Sequence, residues 1–280
     1  MKKTVDDIRK DLDTRGEQTL IVQKDNRLIQ NLIRRKYELS VTEQKILCYI
    51  LSKIDHSAKG DIIEYPVYTY SFNIRQFCKV CGITYDSGAN YQGIKAALDK
   101  LADNAFWLDY GEGEFRFQWI TTPDIQRRNG VVEIEIPKKV MPYLYNLSEK
   151  YTSYQLFNIL ALKSTYSIML YELFKSWAYK GTFTVDISAL REYLSIGDDK
   201  YKTYRDFRRV VLERSIKEIE EYTDIRVTFR GIRSGRSYSK IEFSVNVLKD
   251  EDIEGIEAKR RALAEINGVK YERGQIHLFE

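Results

Sequence analysis

An α+β chain built of two similar halves is what the sequence predicts, and three observations carry that prediction. Helical and strand periodicities follow one another in the order helix, strand, helix, long helix, hairpin, and that order occurs twice. An offset of 113 residues lays Phe72 on Val185, Asn73 on Asp186, Ile74 on Ile187, Phe77 on Leu190, Tyr91 on Tyr204, Ile94 on Phe207 and Leu98 on Val211, without a gap over about thirty residues. A second offset, 123, lays Leu47 on Leu170 and Ile50 on Leu173, with a longer loop following in the first half. The repeated unit is a helix-turn-helix with a β-hairpin behind its last helix. The fold class read from it is α+β, two tandem winged-helix domains related by internal duplication.

Taken in order, residues 1–25 are polar and read as a flexible N-terminal segment. Asn26 to Arg35 reads as a short helix with Leu28, Leu32 and Ile33 on one side. In LSVTEQKILCYILSKI, Ser40 and Glu43 form a capping-box pattern before the stripe Ile46, Leu47, Ile50, Leu51 and Ile54. His56 to Gly60 is a loop, and Tyr65 to Phe72 alternates as a strand. Asn73 caps a short helix, Ile74 to Cys81, which Gly82 stops. Ser87 to Ala102 is the long helix of the first half. Strands follow at Phe106 to Tyr110, Phe115 to Thr121 and Val131 to Ile136, and residues 146–152 read as a linker. In the second half Thr165 to Trp177 is a helix, Gly181 turns into a strand at Thr182 to Val185, and Asp186 caps Ile187 to Leu194. Tyr201 to Asp224 is the long helix, and strands Ile225 to Arg230 and Lys240 to Val247 flank a glycine-rich turn. The expected domains are therefore 26–145 and 153–249, with a tail at 250–280. The tail opens with an amphipathic helix pattern, Ile253, Ile256 and Leu263 beside Lys259, Arg260 and Arg261, which packs back on the second domain or docks a partner.

Length and composition fit two ordinary domains: 280 residues, 43% hydrophobic and 31% charged. The charged N-terminus has no apolar stretch of a signal peptide, and the longest apolar run, Ile46 to Leu51, is far short of a membrane span. A soluble cytoplasmic protein with no membrane partner is expected. The formal net charge is only +4, but residues 201–240 hold eleven Lys and Arg against six Asp and Glu, a local +5. So concentrated a patch points to a polyanion.

That patch sits on the Tyr201–Asp224 helix and the turn behind it. Phe207, Val211, Ser215, Ile219 and Tyr222 share one side, with Leu212 at its margin. Lys202, Thr203, Arg205, Arg208 and Arg209 gather at the N-terminal end, where the helix dipole disfavours cations, so an external counter-charge is expected. The hairpin behind carries Arg230, Arg233, Arg236 and Lys240 among small residues. In a winged helix both elements face double-stranded DNA: arginines at the helix start fork to guanine and wing cations touch phosphates. In the first half Asn90, Gln92, Lys95, Arg127 and Arg128 hold the equivalent places, but Asp99 and Asp103 blunt the field, and a structural or dimerising role stands beside DNA contact there.

Other chemistry finds little footing. Cys78 and Cys81 form a CxxC, but Cys48 and His56 are the only further ligands on offer, so the thiols read as core and no metal is expected. Two histidines, His56 and His277, make no paired metal motif for a nicking enzyme, and no phosphate-binding loop, GxSxG or HExxH occurs. No catalytic residue and no cofactor are assigned. The twenty-one tyrosines allow no single nucleophile to be picked out.

The runs LSVTEQKILCYILSKI, STYSIMLYELFKSW, TFTVDISALREYLSI and YKTYRDFRRVVLERSIKEIEEYTDIRV resemble the iteron-binding plasmid replication initiator (Rep) proteins over about residues 26–247. The resemblance implies a C-terminal domain that reads the major groove of origin direct repeats, and an N-terminal domain that contacts backbone and carries a dimer interface. It implies monomers in equilibrium with homodimers, repression by dimers at an inverted-repeat operator, and host initiator and replicative helicase as partners. By position, the family's recognition cations fall on Lys202, Arg205, Arg208 and Arg209. The family often has Pro-Ala after Val-Leu-Glu where Arg214-Ser215 stands here, so a straighter helix and an added phosphate contact from Arg214 are expected. A transcription regulator that starts no replication would use the same residues, and direct repeats beside the gene separate the two.

Overall fold

The computed structural model describes residues 21–30, 39–54, 69–81, 88–145, 147, 150–249, 252–266, 270–272 and 275–277. The loop expected at His56 to Gly60 and the positions Gly82 and Ser87 lie outside the described residues. The first element is a strand, β1 (Ile21–Asp25), which pairs antiparallel with β7 (Tyr151–Gln155), Ile21 opposite Gln155 and Asp25 opposite Tyr151. β1 falls where a flexible segment was expected, and β7 begins in the expected linker and runs into the start of the expected second domain. The reason is physical: β1 is half charged, and its partner lies far along the chain, so no local period betrays it. A helix, α1 (Arg27–Gln30), follows β1, and the remainder of the helix expected up to Arg35, with Leu32 and Ile33, lies outside the described residues.

The first module opens with α2 (Val41–Leu51). Ser40 Oγ accepts from the Glu43 N–H at 3.3 Å and Glu43 accepts from the Ser40 N–H at 2.7 Å, the reciprocal cap the sequence predicts. Next come β2 (Thr69–Asn73), α3 (Ile74–Val80) and the long α4 (Ala89–Asp103). Asn73 Oδ1 accepts from the Arg75 and Gln76 N–H groups, as a helix-capping asparagine should. Strands β3 (Phe106–Asp109) and β4 (Glu114–Phe117) pair as a hairpin of their own. The strand expected at Phe115 to Thr121 therefore ends early, and a separate β5 (Thr121–Gln126) pairs with β6 (Val131–Glu135). The sheet order β2-β6-β5 makes β5 and β6 the wing, with β3 and β4 an added hairpin. Pro123 lies in β5, an edge strand, where a missing N–H is tolerated.

Behind a 3-10 turn at Lys138–Tyr143, the second module is built from α5 (Leu156–Leu160), α6 (Thr165–Trp177), β8 (Thr182–Asp186) and α7 (Ile187–Tyr193). The long helix α8, residues 204–222, comes next. Strands β9 (Ile225–Ser234) and β10 (Ser237–Val247) complete a sheet of order β8-β10-β9, the counterpart of β2-β6-β5. Asp186 sits at the N-cap of α7 but its side chain makes no capping bond, and its carboxylate lies 3.7 Å from Lys240 instead. Phe174, Phe183 and Phe243 pack between α6 and the sheet at ring spacings of 5.0–6.3 Å, and each such ring stabilises by about 1.5–3 kcal/mol. At the far end of α8, Asp224 accepts from Tyr171 Oη at 2.9 Å, Lys175 Nζ at 2.8 Å and Asn158 Nδ2 at 3.2 Å, fixing that end to α5 and α6. The tail helix α9 (Glu254–Ile266) turns back on α8, with Ile256 buried and Lys259 3.5 Å from Glu221. Strands β11 (Lys270–Glu272) and β12 (Gln275–His277) pair beyond it.

The buried side chains of both modules form one continuous cluster. At its middle the Lys24 ammonium on β1 meets the Glu172 carboxylate on α6, and both are almost wholly buried. Tyr154 on β7 donates its hydroxyl to the same carboxylate. Burial first, then nearby Cys48 and Glu172, pushes the Tyr154 phenol well above its usual range, so it keeps the proton it donates. Gln30 Nε2 donates to the Ser176 carbonyl at 2.7 Å and Lys45 Nζ to the Leu160 carbonyl at 2.7 Å, further ties between the N-terminal elements and the second half. Removing one charge of such a pair strands the other in low dielectric. Glu172→Leu is expected to lower unfolding stability by about 3–5 kcal/mol. The double variant Lys24→Met/Glu172→Leu should recover most of it in urea titrations. Equal midpoints for the single and double variants would disprove the coupling.

Candidate nucleic-acid interface

The interface is assembled from the start of α8 and the β9–β10 hairpin. The chain reaches α8 through a turn in which Tyr201 takes φ +46°, a left-handed conformation unusual for a large side chain. Arg191 on α7 holds that turn, donating to the carbonyls of Tyr201 at 2.8 Å, Lys200 at 2.7 Å and Gly197 at 3.1 Å. The helix begins at Tyr204, three residues later than the sequence pattern suggests. Thr203 is its N-cap: Oγ1 accepts from the Asp206 N–H at 3.1 Å and donates to Asp206 Oδ2 at 2.7 Å. Lys202 therefore precedes the helix, exposed in the turn. Phe207, Val211, Leu212, Ser215 and Ile219 are buried as the periodicity predicts, Ile216 joins them, and Tyr222 at the end of the predicted face is half-buried.

From Phe207 to Glu213 the helix is π-wound, with the regular α-helix resuming at Arg214. A regular continuation into Arg214-Ser215 was expected; the wider turns come just before it. Their effect is visible in Arg208, whose Nε lies 2.8 Å from Glu213 Oε1. In an α-helix a residue five ahead lies about 140° around the axis. In i→i+5 winding it lies nearly beneath, and the two side chains meet. Arg209 lies 3.8 Å from Asp206. The misplaced cations thus have part of their counter-charge inside the protein, contrary to the expectation that all of it is external. Lys202 and Arg205 make no ion pair among the described residues.

The hairpin sorts its cations by strand period. Ile225, Val227, Ile241, Phe243 and Val245 are buried, so Arg230 and Lys240 stand on the opposite, outer face of the sheet. Arg230 forks onto its cross-strand partner Glu242 at 2.6 and 3.0 Å, which raises the arginine and lowers the carboxylate from their usual values. Lys240 faces Asp186, the residue opposite it on β8. Arg233 is on the helix-facing side, 4.9 Å from the Tyr238 ring centroid. Arg236 is exposed in the two-residue turn opened by Gly235 at φ +63°, the glycine position of a tight hairpin. Of the nine positions singled out in the second half, Lys202, Arg205, Arg233 and Arg236 are exposed cations without an acidic partner among the described residues. Sequence reasoning missed Arg191, Glu213 and Glu242, which no local pattern marks, since each acts on a residue on another turn or strand.

In the first module Asn90 lies in the first turn of α4, and Gln92 and Lys95 are exposed along it. Arg127 and Arg128 are exposed in the turn between β5 and β6. Asn73 Nδ2 donates to the Asn129 carbonyl at 2.9 Å and ties that turn to the start of α3. Cys48, Cys78 and Cys81 are buried and form no disulfide, and among the described residues no group of three or more His, Cys, Asp or Glu could hold a metal. No described helix is long and apolar enough to cross a membrane.

Two winged helices in tandem, joined by one core, define the class: a tandem winged-helix protein. The family model described as "Initiator Replication protein, WH1" matches residues 21–175, and "Initiator Rep protein, WH2" matches residues 186–245. The chain belongs to the initiator replication protein family. It is 22% identical over 213 residues to an uncharacterized 27.6 kDa protein of Escherichia coli, covering 73% of this chain and 88% of that one. It is 30% identical over 154 residues to the PI protein of Escherichia coli, 48% of each chain. Among solved structures it resembles the Pi initiator protein in complex with iteron DNA, at a TM-score of 0.66 and 21% identity, over 83% of this chain and 99% of that one.

Thr203 gives a direct check on the start of α8. Thr203→Val keeps shape and loses the cap, and is expected to cost about 1 kcal/mol of stability. An unchanged melting curve would mean that the cap does not hold the helix start.

Proposed function

We propose that this protein is a sequence-specific, double-stranded DNA-binding plasmid replication initiator. It binds direct repeats at its origin, helps open the adjoining duplex and brings in the host initiator and replicative helicase. As a homodimer in equilibrium with monomer it represses its own gene at an inverted repeat. The observation that carries the proposal is the match of both initiator family models to the two winged helices, the second of which carries four exposed cations without an acidic partner among the described residues on its helix start and wing.

In this reading residues 153–249 recognise the repeat. Arg205 and Arg209 reach base edges, Arg209 by leaving its long, exposed pair with Asp206; Lys202, Arg233 and Arg236 hold phosphates, and Arg208, Arg230 and Lys240 are held back by Glu213, Glu242 and Asp186. Residues 26–145 contribute backbone contacts through Gln92, Lys95, Arg127 and Arg128 and the dimer surface. The chain acts by binding and opening DNA and cuts none.

Purified protein titrated onto the repeats beside its own gene should lose affinity steeply with salt, by a log–log slope of about −0.9 for each phosphate neutralised. Equal affinity for unrelated duplex, or a flat salt response, would overturn the proposal. Arg209→Ala should cost about 1–3 kcal/mol on the repeat and little on other sequences. Arg233→Ala should weaken all duplexes alike and reduce the slope by about 1. Supercoiled plasmid incubated with the protein and magnesium should remain supercoiled; nicked circles would make the protein an enzyme.

A further inference from the structure

The start of α8 and the wing touch through a contact at the margin of the core. Tyr204, the first residue of the helix, stacks on Tyr238 of β10 with ring centroids 4.1 Å apart and planes at 25°. Tyr204 is half-buried and Tyr238 is 37% exposed. Three features build this contact. The β9–β10 register shifts between Tyr238 and Lys240, a bulge that re-aims the side chain before it. Gly231 on β9 leaves the space the rings occupy: a Cβ there would lie 2.5 Å from Tyr204 Oη and 2.7 Å from Tyr238 Cδ1. Arg233 then lies over the outer Tyr238 ring, with Nη2 3.4 Å from its hydroxyl. One helical turn on, Arg208 lies 5.8 Å from the Phe229 ring of β9. The recognition helix, the wing and a wing cation are thus linked in series by stacked groups.

We propose that Tyr204, Tyr238 and Gly231 are positioning residues that lock the wing at a fixed angle to the recognition helix and so set sequence discrimination. The inference rests on the DNA-binding reading above. Bases are read only when helix and wing engage one duplex in one register. A loosened wing still finds phosphates, because helix and wing can each settle separately on unrelated DNA. Loss of the clamp therefore costs discrimination more than affinity. A simple phosphate contact behaves otherwise, weakening all duplexes alike.

The test compares two duplexes of equal length: one selected from a random-sequence pool by the wild-type protein, and a scrambled version of it. Tyr238→Ala and Tyr238→Leu should weaken binding to the selected duplex by about tenfold or more and to the scrambled one by about threefold or less, with the salt slope kept. Tyr238→Leu fills the space without a stacking ring and serves if the alanine variant melts under assay conditions. Gly231→Ala, which leaves both tyrosines but forces the rings away, should behave like them. Tyr238→Phe keeps the ring and should restore discrimination. Equal losses on both duplexes, or wild-type discrimination in Tyr238→Leu and Gly231→Ala, would overturn the clamp. A selection that enriches no sequence, or equal wild-type affinity for the two duplexes, would instead overturn DNA recognition itself.

Discussion

Strand β10 is the constraint on which the second module depends. It is the middle strand, bonded to β8 on one side and β9 on the other. Its register decides at once which residues enter the core, which cations face the recognition helix and which meet acidic partners. Ile241, Phe243 and Val245 turn inward, so Lys240 and Glu242 must turn outward. A slip of one residue would expose the phenylalanine and bury the glutamate. The bulge beside Tyr238 breaks this alternation at one place, near the wing tip, where the wing meets the helix.

Charge is distributed on the same principle. A count of cations along the chain overstates what a polyanion would meet, because Glu213, Glu242, Asp186 and Asp206 sit within reach of four of them. Exposed pairs of this kind add little stability. Their consequence is a narrower set of free cations, on the helix start and the wing tip, and a surface less attractive to arbitrary anions.

Much of the fold was legible because it is local. The Ser40–Glu43 cap, the Asn73 cap, the α2 stripe and the buried face of α8 are written in spacings of three and four residues. The duplication supplied the order of elements, and the structure repeats it in matching three-stranded sheets. What escaped depends on distance or on winding. β1 read as part of a flexible segment and the start of β7 as linker because each is short and paired across the chain. The π-wound turns of α8 have no signature in composition, yet they bring Arg208 to Glu213. Tyr204, Tyr238 and Gly231 were three unremarkable residues until the hairpin folded them together.

The pairing of β1 with β7 also carries a consequence for how the chain is made. Ile21 finds its partner only at Gln155, so the first module is a closed loop whose clasp is synthesised last. Closing so long a loop costs only slowly growing entropy, but contacts between distant residues form late. Until Tyr151–Gln155 has left the ribosome, β1 is an unpaired edge and Lys24 has no carboxylate to meet. Since Glu172 lies later still, the nascent first module cannot reach its final state alone. Its last buried contact is completed only when the opening helices of the second half are present.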